Sequence, residues 1–131
     1  MARPSLTVLL LFVLAGCAPV VSLTQYKYPP RAADAEVMRI DARTMERPEL
    51  QRVLNDYDVI ARFHKPVRSG DRYEADVASK VAEAESTVRG LGGHAILYTE
   101  DSEVIATIFQ DVAYAGPDDR LIMYVLRRKE D

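Results

Sequence analysis

The sequence is poor in the residues that make chemistry or covalent cross-links. Among its 131 residues there is one cysteine, no tryptophan and two histidines. A lone Cys17 excludes an internal disulfide and a thiolate zinc site, so the fold must stand on its core. His64 and His94 stand in no His-x-x-x-His or His-Glu-x-x-His spacing, which argues against a metal. Ser69, Ser79, Ser86 and Ser102 lie in no Gly-x-Ser-x-Gly elbow. Glu100, Asp101 and Glu103 cluster, but without the spacing of a calcium loop. No cofactor, no metal and no catalytic residue are therefore expected, and the chain reads as a non-enzyme. Charge is equally uninformative of chemistry. The net charge is −3, and the one dense basic run, Arg127-Arg128-Lys129, is followed at once by Glu130-Asp131. That gives no basic face for nucleic acid. Nor is there a long apolar run. Leu6 to Leu14, interrupted only by Thr7, is far short of the about 20 residues that span a bilayer.

That short run is informative in another way. Arg3 and the amine of Met1 precede it, and the small residues Ala15 and Gly16 follow it. Charge, apolar stretch and small residues in this order are those of a signal peptide. Leu14-Ala15-Gly16-Cys17 resembles the lipobox of bacterial lipoproteins. The resemblance implies that residues 1–16 are removed between Gly16 and Cys17, and that Cys17 carries lipid. Two or more acyl chains make a lasting anchor, since each buried methylene contributes about 0.8 kcal/mol. Ala18, rather than an Asp, follows the cysteine, which in that family leans towards the outer membrane. The expected place is thus the cell envelope, on the periplasmic face of the outer membrane. Removing the signal takes Arg3 with it and moves the net charge from −3 to −4.

Residues 17–35 read as the lipidated cysteine and a flexible tether. "TQYKYPPRAADA" has no sustained periodicity, and Pro29-Pro30 favours an extended path. Tyr26 and Tyr28 could lie at the headgroup level, pack on the domain or stay in solvent. Residues 36–131 read as one domain, of a size that buries roughly two thirds of its unfolded surface.

Within that domain "VMRID" (37–41) predicts a first strand. Residues 42–56 are ambiguous: Pro48 could open one or two helical turns with Leu50, Val53 and Leu54, or the segment could be irregular. "YDVIARFH" (57–64) alternates, with Val59, Ala61 and Phe63 on one face. Residues 73–91 predict the clearest helix. Val77, Val81, Ala84, Val88 and Leu91 form one stripe, and Gly92 or Gly93 supplies the left-handed stop. "HAILYT" (94–99) predicts a buried strand, parallel to the strand before the helix. "VIATIFQDVAYA" (104–115) and "RLIMYVLRR" (120–128) predict two more. The expected fold is α+β: a single helix on a small mixed β-sheet, in the order β-β-α-β-β-β.

Tyr57-Asp58-Val59-Ile60-Ala61-Arg62-Phe63 and Leu91-Gly92-Gly93-His94-Ala95-Ile96-Leu97 resemble two motifs of the RcsF and YbjQ-like envelope domains. Those domains carry a strand of the type Y-x-V-I-G-x-V, a loop, one helix and then L-G-A-x-A-I-I. Ala61 stands where glycine is usual, and Gly93 where alanine is usual. The resemblance covers about residues 57–99. It implies a small envelope domain that meets other proteins, in ring assemblies or in envelope sensing.

One helix covers one face of a sheet, yet the last two strands are apolar on both. Ile105, Phe109 and Tyr124 therefore mark a candidate interaction face, unless residues 42–56 or the tether fold across it. The expected function is that of a lipid-anchored envelope protein binding a partner without catalysis. Its partners would be the membrane through Cys17, and an envelope protein or a second copy of the chain. The alternative is a domain that binds a small periplasmic ligand or a peptidoglycan fragment, which needs converging polar groups.

Overall fold

A computed structural model describes residues 20–100 and 120–130. Residues 1–16, expected as a signal peptide, Cys17, the expected strand 104–115 and, within it, Ile105 and Phe109 lie outside the described residues. The chain is α+β, and its described residues form one mixed five-stranded sheet and two helices. The elements in chain order are β1 (Val21–Ser22), β2 (Met38–Asp41), α1 (Arg47–Asp56), β3 (Tyr57–Pro66), α2 (Tyr73–Gly90), β4 (Ala95–Thr99) and β5 (Arg120–Arg128). The expectation of a single helix is corrected by α1. Pro48 occupies its first turn, where a missing N–H costs nothing. The Glu49 carboxylate accepts from the Glu46 N–H at 3.3 Å and fastens that turn.

The sheet order is β1-β3-β5-β4-β2. β5 lies antiparallel to both β3 and β4, so β3 and β4 run parallel but are not neighbours. The last strand is inserted between the two that α2 connects. β2 adds parallel to β4 at one edge, and β1 adds antiparallel to β3 at the other.

The central place of β5 explains its composition. Leu121 to Leu126 are buried on both faces, as a strand covered on each side requires. Leu121, Met123 and Val125 pack with Ile96, Phe63 and the α2 stripe Val77, Val81, Ala84 and Val88. Ile122, Tyr124 and Leu126 turn the other way, to Ile40, Leu97 and Leu50 of α1. Among the described residues each face of the sheet thus carries one helix.

The strand β3 departs from simple alternation. Its register with β5 slips between Val59, opposite Leu126, and Ala61, opposite Val125. Ile60 is the extra residue of a β-bulge. Tyr57 and Val59 therefore lie on the α1 face, while Ile60, Ala61 and Phe63 lie on the α2 face. The expected single face of Val59, Ala61 and Phe63 is split by one inserted residue.

Candidate functional site: the strap and the groove beneath it

The stretch expected as a free tether is fastened to the domain from Val21 onward. Val21 and Ser22 pair with Arg62 and Ala61. The Leu23 N–H donates to the Ile60 carbonyl at 2.9 Å. Tyr28 packs against the α2-side core. The Arg31 N–H donates to the Arg89 carbonyl at 2.8 Å, and its guanidinium donates to the Gly93 carbonyl at 2.7 Å. Arg89 answers by donating to the Ala35 carbonyl at 2.6 Å. Residues 21–35 are thus a strap rather than a tether, and the docked domain begins at β1, not at residue 36.

The anchor of this strap is the end of α2. The Gly92 N–H donates to the Arg89 carbonyl at 3.0 Å and the Gly93 N–H to Val88 at 2.8 Å. These are the two bonds of a Schellman stop. Gly92 carries the left-handed φ of +82°, as expected of one of the two glycines. A Cβ on it would stand 2.6 Å from the Tyr28 Cβ and 3.0 Å from the Pro29 carbonyl oxygen. A Cβ on Gly93 would stand 2.5 Å from Val125 and 2.8 Å from Val88. The backbone approach of the strap to the helix end, and of the helix end to β5, needs both glycines.

Between the strap, β3 and the end of α2 lies a groove of about 380 Å³. Val20, Tyr26, Tyr28, Ile60, Ala61 and Leu91 give it apolar walls, with the hydroxyls of Ser22 and Thr24 and one cation, Lys27. Its size suits a small ligand. Its lining suits an apolar one.

The expected interaction face fares differently. Tyr124 is 1 % exposed. It lies under α1, in the cluster with Leu50, Leu97 and Leu126, so it cannot meet a partner. The possibility that residues 42–56 close the second face is the one realised over Tyr124. Exposed apolar side chains occur instead at the strap. Of five large exposed hydrophobic residues among those described, Val21, Leu23 and Tyr26 belong to it, Val20 directly precedes it, and Met38 lies on the opposite edge strand.

The two histidines and the Arg43 cluster are held in structural contacts. His64 and His94 are set apart, opposite Ile122 and beside Arg128 at the two ends of β5. The His94 Nδ1 accepts from the Arg128 N–H at 2.9 Å. Burial, and then the charges of Arg31, Arg127 and Arg128, push its pKa down. Burial, Arg120 and Arg62 do the same to His64. Arg43 donates to both carboxylate oxygens of Asp41 and both of Glu74, and lies within 6 Å of the Tyr73 and Tyr98 rings, at 5.8 and 5.7 Å. Those hydrogen bonds hold the Asp41 carboxyl below the usual range. Among the described residues no three His, Cys, Asp or Glu side chains gather as a metal site, and no helix is long and apolar enough to cross a membrane.

Compared with known proteins, the chain matches no family model, no curated protein and no solved structure. The strap could not be read from the sequence, because its holding bonds run to carbonyls up to 62 positions away. The one signal was the double glycine, which marks a place of close backbone approach as well as a helix stop.

Proposed function

We propose that this protein is an envelope lipoprotein, anchored through lipid on Cys17, whose small α+β domain acts as a non-enzymatic interaction module at the membrane surface. The observation that carries the reading is the succession of two features along the sequence. Leu14-Ala15-Gly16-Cys17 has the lipobox pattern, and the exposed apolar side chains Val20, Val21, Leu23 and Tyr26 follow directly after it. An anchored protein places such residues where lipid or a neighbouring envelope protein covers them.

The use of the charged side chains supports a module without catalysis. Arg31, Arg89 and Arg127 bind backbone carbonyls, Arg39 binds Glu85, and Arg43 is enclosed by two acids and two rings. A peptidoglycan fragment would ask for converging polar groups, and the groove under the strap supplies one cation and two hydroxyls. Kinship with RcsF and YbjQ-like domains is proposed on the β3–α2–β4 unit, which has the strand, helix, strand order of their motifs. Outer-membrane placement is proposed on Ala18.

The test is made in cells. Wild type should fractionate with membranes, label with radioactive palmitate and retain its precursor when signal peptidase II is inhibited. Cys17→Ala should lose the label. In vivo photo-crosslinking from Met38, on the opposite edge strand, should then trap a discrete envelope protein or a second copy. A protein that takes no palmitate, or one that is anchored yet yields no crosslink from Met38, contradicts the corresponding half of the proposal.

A further inference from the structure

We infer that the strap is a membrane-contact surface: the domain rests directly on the lipid bilayer, β1 edge first, instead of standing off it on a tether. The inference rests on the proposed lipidation of Cys17 and adds what the anchor does to the domain.

The first argument is chain length. Only Ala18 and Pro19 separate Cys17 from Val20. Three residue steps reach at most about 11 Å. The strap has no slack to add. β1 is paired to β3, Leu23 is bonded to Ile60, and Arg31 is bonded to the end of α2. An acyl group embedded at Cys17 therefore holds Val20 within about 11 Å of the lipidated residue, at or just outside the headgroup layer.

The second argument is what the protein presents there. Val20, Val21, Leu23 and Tyr26 are 42, 38, 38 and 72 % exposed. Val21 shares the α1 side of the sheet with its partner Arg62, and Ser22 the α2 side with Ala61, so Val21 and the flanking Val20 and Leu23 place apolar groups on both sides of the edge strand. An edge approached from outside meets valine, leucine and tyrosine. Tyrosine is enriched where one end of a side chain is apolar and the other wet. Lys27, beside Tyr26, can keep its charge at the headgroups while its stem lies along the groove.

The third argument is the contrast with the opposite edge. β2 lies four strand spacings away, roughly 19 Å. Its exposed Met38 is flanked by Arg39, which is paired with Glu85. A sheet standing on β1 would carry β2 well clear of the lipid.

The chain has no tryptophan, so one introduced indole reports one place. The lipidated full-length protein, carrying either Tyr26→Trp or Met38→Trp, is reconstituted in vesicles of phosphatidylethanolamine with a minority of phosphatidylglycerol, with and without brominated acyl chains. Leu23→Trp serves as a second strap reporter should Tyr26→Trp fail to fold. Intact mass and flotation establish that each sample is lipidated and bound. The strap reporter is expected to shift to the blue and lose most of its emission to bromine, while Met38→Trp keeps its emission. A flexible Gly-Ser spacer inserted between Pro19 and Val20 should abolish the quenching without abolishing flotation. Lipidated, floating protein whose strap reporter stays unquenched overturns the contact and leaves the anchor standing. Protein that carries no lipid on Cys17 overturns both.

Discussion

The Arg127 guanidinium lies 4.2 Å from the centre of the Tyr28 ring while its Nη1 donates to the Gly92 carbonyl at 2.7 Å. One side chain from the last strand thus holds the strap and the helix stop together. A desolvated cation over an aromatic face contributes about 0.5–2 kcal/mol, and a charged hydrogen bond about 1.5–3. Arg127→Ala should therefore cost about 2–5 kcal/mol, with the local loss concentrated in the strap. Hydrogen exchange at the Leu23 and Arg31 amides should quicken more than exchange in α2. Unchanged protection at those two amides would show that the strap is held without Arg127.

The paired glycines give a graded prediction. Gly92→Ala puts a Cβ at a left-handed φ and against Tyr28, for a cost of about 1–2 kcal/mol or more. Gly93→Ala overpacks against Val125 and Val88, for about 1–3 kcal/mol. Gly90, the last residue of α2, has open space around its Cβ position, so Gly90→Ala should gain up to about 1 kcal/mol. Denaturant midpoints for the three variants check the order. Equal midpoints would mean that the helix end is placed wrongly.

Leu50 tests the second face of the sheet. It is fully buried in the cluster of Ile40, Leu97, Tyr124 and Leu126. Leu50→Ala should cost about 2–5 kcal/mol and expose Tyr124, read as an increase in dye binding by the destabilised domain. A cost below about 1 kcal/mol, typical of a surface site, would return that face to the list of interaction surfaces.

Both histidines have their pKa lowered in the folded protein, against about 6.5 when unfolded. Between the two values the unfolded chain binds more protons than the folded one. Stability is then complete above about pH 6.5 and falls as pH drops through the folded values. The melting temperature should decline from about pH 7.5 to about pH 5. His94→Asn, whose side-chain oxygen can accept from the Arg128 N–H, should flatten part of that decline. A variant as acid-sensitive as wild type would remove His94 from the account.

How much of this was legible follows from where each structure-making signal resides. The α2 stripe and its glycine stop are local periodicity and local stereochemistry, and both are found as read. So is the alternation of β5, where Leu121, Met123 and Val125 oppose Ile122, Tyr124 and Leu126. The bulge at Ile60 was not legible, because no glycine or proline marks it and only the partner strand reveals the slip. The helix α1 is ten residues long with Leu50 as its one fully buried side chain, too little pattern to separate helix from loop. The strap is held by arginines that reach backbone carbonyls far along the chain, and such bonds leave no trace in periodicity. For that reason the sequence pattern points to Ile105, Phe109 and Tyr124, of which only Tyr124 is described and is buried, while the large exposed apolar side chains among the described residues are Val20, Val21, Leu23, Tyr26 and Met38.

The central claim is the anchor, and the intact mass of the mature protein taken from cell membranes tests it most directly. The account predicts a chain beginning at Cys17, heavier than its sequence by a diacylglyceryl group with or without a further acyl chain on the amine. A mature chain that begins at any other residue, or that begins at Cys17 with the mass of its sequence alone, would contradict it.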